Sequence, residues 1–599
     1  MHRKSSLRTY KLTRPYRLIG IVLLAVMALA VAIPLVIILI ESVRVQGQSF
    51  DVRLAGQATG SLSPVYWKRM FELPLAEFLF YRPLLNTLLV ALVTGVLATA
   101  LGTSLAWLSA RSDMPGRKWL ALLVLVPNIA PSFALSLAWL LVFRTNRVSG
   151  TSGILEQLGL VIPDWLGYGP VAIITVLTVN YIAFSFLLVS IALQKIDGNM
   201  EANATVLGAS SFRILRTVTL PLALPAIASS FILTTAAALG TFAVPQFLGA
   251  PVRYNMLSTV LYQNVTGNRY GEAYVQTIVM ILITAVLIWL YAKFVLGGRR
   301  SYATVSGKGF TSIRTSLGRL RWPSAIVSLT VLGIAAIAPI LFIVSESFLE
   351  VSGRYRLDNL TLHYWTGSAQ SGWGPTSMAG IFSNSNLLAA IGNTFQLSLI
   401  SALLVGIATI LFGYVIVRGK GSRVAQLVDQ ASFIPYLIPG IVFGAMYLSS
   451  YAAGFGPFPA LYGSYILVVA ALVTNLLPFA ARIGSNVFSQ ISSDLEDTAM
   501  TFGGWWSAFR RILIPMTRDG FIISFIIAFI GVAKELDLVA LLIPARSPVL
   551  TWYALAYYQE GYFQHWSVIS IVLLVSIFLV VGLAYWFGFQ LYNREAETL

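Results

Sequence analysis

The 599-residue chain has no cysteine and only three histidines, His2, His363 and His565. Disulfides and thiolate metal sites are therefore excluded, and three scattered imidazoles argue against a protein-held zinc or haem centre. The lack of cysteine does not by itself fix the redox compartment. Charge is scarce as well: Asp, Glu, Lys and Arg make up 11% of the chain, where a soluble domain carries about 25%. A phosphate-cradling loop, G-x-x-x-x-G-K-[ST], is missing. Its nearest fragments, Gly307-Lys308-Gly309 and Gly419-Lys420-Gly421, lack the spacing and the hydroxyl. There is no hydrolase-type nucleophile elbow and no cluster of histidines. No catalytic residue and no metal ligand is assigned, and energy for any work must come from another subunit or an ion gradient.

What the chain has instead is apolar surface, 57% of its residues, in runs long enough to cross a bilayer. It reads as an all-α polytopic membrane protein. The formal charge of +17 then fits Lys and Arg concentrated in cytoplasmic loops better than a nucleic-acid surface. The N-terminus, His2 to Arg17, is a basic arm placed in the cytoplasm. The run Leu18 to Ile40 is longer than a signal-peptide core and is followed by further spans, so it is read as the first transmembrane helix. Spans follow near 84–110, 119–143, 169–193, 222–248 and 273–296, then near 323–345, 391–417, 425–450, 462–486, 519–543 and 565–589, about twelve in all. Residues 1–296 form a first half and 323–599 a second. Between them lies a basic linker, 297–322, rich in Gly, Ser and Thr and placed in the cytoplasm. The short loops are one-sided, with Arg111, Arg117 and Lys118 in one half and Arg418, Lys420 and Arg423 in the other. Both termini are thereby expected in the cytoplasm.

The halves repeat one another. Pro34 and Glu41-Ser42 recur as Pro339 and Glu346-Ser347, Asn86-Thr87 as Asn393-Thr394, and Asn180 as Asn475. Pro127 and Pro131 recur as Pro435 and Pro439 and should bend the third span of each half. An even number of spans per half makes the repeats parallel. The most telling repeat is Met200 to Pro221 against Leu495 to Pro515, where Glu201 precedes Gly208, and Glu496 precedes Gly503, by seven positions. Ser493 and Glu496 have the spacing of a capping box, and Gly503 suits a helix stop. The helix between is about nine residues, roughly 13 Å long, too short to be stable alone and so expected to lean on a neighbour.

Glu, small residues, Gly seven positions on and an apolar-Pro ending resemble the cytoplasmic coupling motif of ABC-importer permeases. The matching residues are Glu201, Ala202, Ala204, Gly208 and Pro221, then Glu496, Ala499, Gly503 and Pro515. Asn203 and Thr498 stand where that family usually has Ala, and the second copy is one residue shorter between Gly and Pro. The resemblance implies a type I ABC importer permease fold of about 12 transmembrane helices in two parallel six-helix repeats, in the bacterial inner membrane. It also implies two cytoplasmic ATPase subunits that hold ATP and Mg, and an extracytoplasmic substrate-binding protein. This chain itself would need no cofactor.

Lys534, Glu535 and Asp537 fall inside the eleventh span, and the matching first-half segment, Gly240 to Pro245, has no charge. An ionised residue at the bilayer centre costs about 2.5–3.5 kcal/mol on insertion scales, so these three must face protein or water. They are the candidate translocation pathway, where carboxylates suit a hard cation. The alternative is an internal salt bridge pinning two helices. The stretch Leu239 to Gly249 with Thr259 and Tyr262, and Lys534 to Leu536 with Leu541-Leu542, Pro544 and Trp552, are similar to fused ferric-iron-type permeases. Asp537 stands where that group often has Pro. The resemblance implies ferric iron as the favoured substrate, with thiamine, polyamines, phosphonates and sugar phosphates as alternatives. An ion-coupled secondary transporter is the rival from another class. A membrane-bound enzyme would need a catalytic set that is not visible.

Overall fold

The computed structural model describes residues 15–48, 52–53, 56–72, 74–291, 293, 314–371, 375–451, 460–544 and 546–597. The basic arm up to residue 14 and most of the linker (294–313) lie outside the described residues. No strand occurs among those described, only three isolated bridges. A bilayer offers no hydrogen bonds to a backbone, so the apolar runs satisfy theirs internally as helices.

The first half contains α1 (Tyr16–Glu41), α2 (Glu77–Arg111), α3 (Arg117–Ile129), α4 (Ser132–Phe143), α5 (Pro170–Gln194), α6 (Gly198–Val206), α7 (Ser211–Gly240), α8 (Ala243–Leu248), α9 (Leu257–Thr266) and α10 (Tyr270–Tyr291). The second contains α11 (Arg321–Glu346), α12 (Ser385–Arg418), α13 (Arg423–Leu437), α14 (Gly440–Tyr451), α15 (Tyr465–Gln490), α16 (Ser493–Ala508), α17 (Arg518–Ala533), α18 (Val539–Leu542), α19 (Leu550–Glu560) and α20 (Phe563–Glu597). Among the described residues, 9 helices are long and apolar enough to cross a membrane, and 12 spans result when each of three bent pairs counts as one. The bends at the third span of each half fall where the prolines predict them. Ala130 before Pro131 and Ile438 before Pro439 are extended, as a residue preceding proline prefers, and the axis turns by 97° and 105°.

Two expected spans are corrected. The one placed at 222–248 starts at Ser211 and stops at Gly240, with α8 a separate short helix. The one placed at 519–543 stops at Ala533 and resumes only at Val539. The reason is close approach at both breaks. A Cβ on Gly240 would lie 2.6 Å from Cβ of Pro439 in the other half, and one on Gly440 would lie 3.3 Å from Cβ of Asp537 in its own half. The broken stretches of the two halves therefore face each other at the centre.

Packing also crosses the boundary drawn in sequence. α1 lies against α13 and α14 of the second half, while α11 lies against α3 and α4 of the first. Gly20 permits this, since a Cβ there would come within 2.5 Å of Val424. Within α1 a π-turn at Ala28–Ala32 loosens the backbone ladder, and second-half tyrosines take up its carbonyls. Tyr447 donates to Ala30 O at 2.9 Å, and Tyr451 donates to Leu29 O. The described end of the linker is tied to the α2–α3 loop: Thr315 N–H donates to Arg111 O at 2.8 Å and Leu317 N–H to Asp113 at 2.9 Å. That backbone donor holds the Asp113 carboxyl below its usual range.

Candidate functional site

The two repeated stretches form short helices at equivalent places, each after the fourth span of its half. α6 is capped by Asp197, whose side chain accepts from Asn199 N–H. It ends at Gly208, where φ of +81° is a left-handed conformation that glycine adopts without strain. The second copy differs from expectation in two ways. Its cap is Ser492, accepting from Asp494 N–H, and not Ser493. The helix also runs through Gly503 and breaks one residue later, at Gly504 (φ 71°, ψ 178°). In both copies a five-residue π-turn follows, Leu215–Thr219 and Phe509–Leu513. Each ends just before the apolar-Pro pair, where Pro221 and Pro515 supply no N–H to the ladder. The residue missing from the second copy is lost between the glycine and this turn.

The motif glutamates do not face outward. Glu201 is 5% exposed and Glu496 is 0% exposed. Glu496 pairs with Arg418 at 2.6 Å, and Glu201 faces Arg111 at 3.6 Å while accepting from the Thr219 hydroxyl at 2.7 Å. Glu496 is thus engaged by an arginine and does not close a capping box. Ala202, Ala204 and Ala499 are half-buried on these helices. The surface left for a partner is apolar: Val206 and Leu207 are each 87% exposed, and Met200, Leu495 and Trp506 are exposed too. Arg111 and Arg418 were legible only as inward-loop charge. The signal that singles them out is their shared place at the last turn of the second span in each half.

Lys534, Glu535 and Asp537 sit in the break between α17 and α18, not within a helix. Asp537 is engaged across the halves. Its carboxylate accepts from Phe242 N–H and Ala243 N–H, both at 3.1 Å, and so caps α8, the short helix after the first-half break. Glu535 accepts from Leu538 N–H at 3.0 Å. Lys534 turns the other way and donates to Asn128 O, a carbonyl beside the Pro127 bend. The Lys534 ammonium is therefore held by a backbone carbonyl rather than by a close ion pair with Glu535. Glu535 and Asp537 border a cavity of about 210 Å³ between the halves, together with Gly240, Thr241, Pro439 and Asn475. No lysine or arginine lines it. Among the described residues no group of three or more His, Cys, Asp and Glu could hold a metal ion, so the cavity offers two carboxylates and no cage.

Above the cavity, the paired Asn-Thr residues do the same work in each half. Thr87 accepts from Leu257 N–H and Thr394 from Leu550 N–H, each at 2.9 Å. Asn86 donates to Asn255 O at 2.9 Å and Asn393 to Pro548 O at 3.0 Å. The outer ends of α2 and α12 are thereby stitched to the first turns of α9 and α19. A wider vestibule of about 940 Å³ opens beyond, bordered by Glu41, Tyr270, Tyr274, Tyr462 and Trp552. Sequence reading did not foresee it, because its walls come from six separate stretches of the chain.

Residues 98–297 match the family described as the binding-protein-dependent transport system inner membrane component. The chain is similar to a ferric transport system permease protein of Actinobacillus pleuropneumoniae, 22% identical over 83% of this chain and 70% of that protein. It is also similar to a molybdate/tungstate transport system permease protein of Thermococcus kodakarensis, 30% identical over 26% of this chain and 55% of that protein. A sulfate transport system permease protein of Escherichia coli is 29% identical over 36% of this chain and 71% of its own length.

Proposed function

We propose that the chain is a multi-pass permease of the binding-protein-dependent ABC-importer class and that it supplies both halves of one membrane pathway for a small cation, ferric iron foremost. The observation that carries this reading is the twinned coupling helix, α6 and the first part of α16, placed alike in both halves. Each presents exposed apolar residues and docks on one cytoplasmic ATPase subunit, so one chain takes two. ATP and Mg are held by those subunits. Both termini lie in the cytoplasm, and the vestibule faces the substrate-binding protein. ATP-driven closure of the ATPases draws the coupling helices together and opens the pathway outward; hydrolysis returns it inward.

The substrate assignment rests on similarity to a ferric permease over most of the chain and on the cavity. Glu535 and Asp537 border it and no basic side chain does, so a sulfate, molybdate, phosphonate or sugar phosphate would meet like charge in a low-dielectric site. Thiamine and polyamines are cations and remain the competing substrates. The match of residues 98–297 to a binding-protein-dependent transport component favours this reading over an ion-coupled transporter or an enzyme. The test is uptake into proteoliposomes holding the complex and its binding protein. Labelled ferric iron should accumulate with ATP and resist competition by sulfate. Accumulation of sulfate, with none of iron, would refute the cation reading.

A further inference from the structure

We propose that Arg111 and Arg418 are positioning residues that clamp the coupling helices to α2 and α12, making those two helices the levers between ATPase and pathway. The inference rests on reading α6 and α16 as the ATPase-docking helices and adds how their movement enters the membrane. The two sites are built alike. Arg418 reaches the Glu496 carboxylate at 2.6 Å and donates through both terminal nitrogens to Ile491 O at 3.2 Å. Arg111 faces Glu201 at 3.6 Å and donates to Ile196 O at 2.5 Å. In both cases the accepting carbonyl lies five positions before the glutamate, in the turn that enters the coupling helix. One guanidinium thus grips that helix at its entry and again at its first turn, with a planar fork that a lysine would lack.

Burial makes the grip strong. Arg111, Glu201 and Glu496 are buried, and the Arg418 side chain is 7% exposed. Charges out of water persist only while paired, so neither partner leaves readily when the helix is pushed or pulled. The glutamates are also kept from an incoming ATPase, which meets the apolar residues beside them. A helix this short is not stable alone, and the clamp ties its entry and first turn to the membrane part.

The same two helices carry the contact onward. α2 runs from Arg111 back to Thr87 and Asn86, which hold the first turn of α9. α12 runs from Arg418 back to Thr394 and Asn393, which hold the first turn of α19. α2 is 35 residues long and α12 is 34, about 52 Å and 51 Å at the helical rise. Each therefore reaches from the coupling helix to the outer layer as one continuous element. The halves are unequal in strength. The second clamp is closer, and Tyr414, which accepts from Trp505 Nε1 at 2.8 Å, stands beside Glu496 at 3.5 Å. The first clamp is longer and leaves Arg111 Nε without a hydrogen bond.

The test uses the reconstituted complex of this chain, its ATPase subunits and its binding protein. Two paired neutral variants remove the clamp without stranding a charge: Arg418→Met with Glu496→Gln, and Arg111→Met with Glu201→Gln. The readouts are co-purification of ATPase, ATP hydrolysis with and without loaded binding protein, and substrate moved per ATP. Both variants should retain bound ATPase. The second-half variant should lose at least tenfold in substrate moved per ATP, with hydrolysis no longer responding to loaded binding protein, and the first-half variant should lose less. An assembled pair of variants with the wild-type ratio would overturn the clamp. So would loss of ATPase binding in both, since the glutamates would then be docking or folding residues. Failure of the unaltered chain to bind ATPase would instead refute the docking reading itself.

Discussion

Asp537 has two roles that substitution separates. Its carboxylate caps Phe242 N–H and Ala243 N–H across the halves, and its charge borders the central cavity. Asp537→Ala removes both acceptors, and each buried donor left unpaired costs about 1–3 kcal/mol, so the variant loses about 2–6 kcal/mol. Asp537→Asn keeps one oxygen and turns an amide nitrogen toward the other N–H. It forfeits about one bond, about 1–3 kcal/mol, but all of the charge. A unit charge about 4 Å from a passing cation is worth about 4 kcal/mol at an effective dielectric constant near 20, and a third of that is already a tenfold effect. Thermal unfolding in detergent reads the cap, and uptake in proteoliposomes reads the charge. Asp537→Asn should unfold only slightly earlier than the unaltered chain yet lose at least tenfold in ferric uptake. Asp537→Ala should lose in both. Wild-type uptake by a folded Asp537→Asn variant would refute the pathway role and leave Asp537 as a cap alone.

Gly504→Ala forces a side chain into a backbone region that only glycine occupies freely, at about 1–3 kcal/mol, whereas Gly503→Ala falls on helical backbone. The first should lower uptake per ATP and the second should not; equal effects would contradict the placement of the break. Gly208→Pro should uncouple ATP hydrolysis from uptake while leaving the membrane helices folded, because φ of +81° is closed to proline. Intact coupling in that variant would remove the turn from the mechanism. Thr87→Val and Thr394→Val each strand one buried N–H, at Leu257 and Leu550, and should each cost about 1–3 kcal/mol in detergent unfolding. A loss at one site without the other would contradict the equivalence of the halves.

The spans and the proline bends were legible because each rests on local chemistry: apolar length, or a missing N–H. The Asn-Thr repeats were legible as repeats, but not as caps on α9 and α19, since those bonds join residues more than 150 positions apart. The two repeated stretches were legible, but the burial of Glu201 and Glu496 was not. Their arginine partners come from a different span, and no local pattern shows that pairing. Ser492 displaced Ser493 as cap because Glu496 is drawn to Arg418. The Lys534–Asp537 cluster was placed inside a helix because hydropathy runs on through it; the break exists because Gly440 brings the other bend of its own half against Asp537.

The claim on which the account turns is that one chain presents two docking helices for two ATPase subunits. Native mass spectrometry of the complex purified from its own membrane tests it most directly. The account predicts one copy of this chain with two ATPase copies, falling to one when the exposed apolar face of α6 is made acidic by Val206→Glu with Leu207→Glu. A complex with no ATPase, or one whose two copies both survive that change, would contradict it.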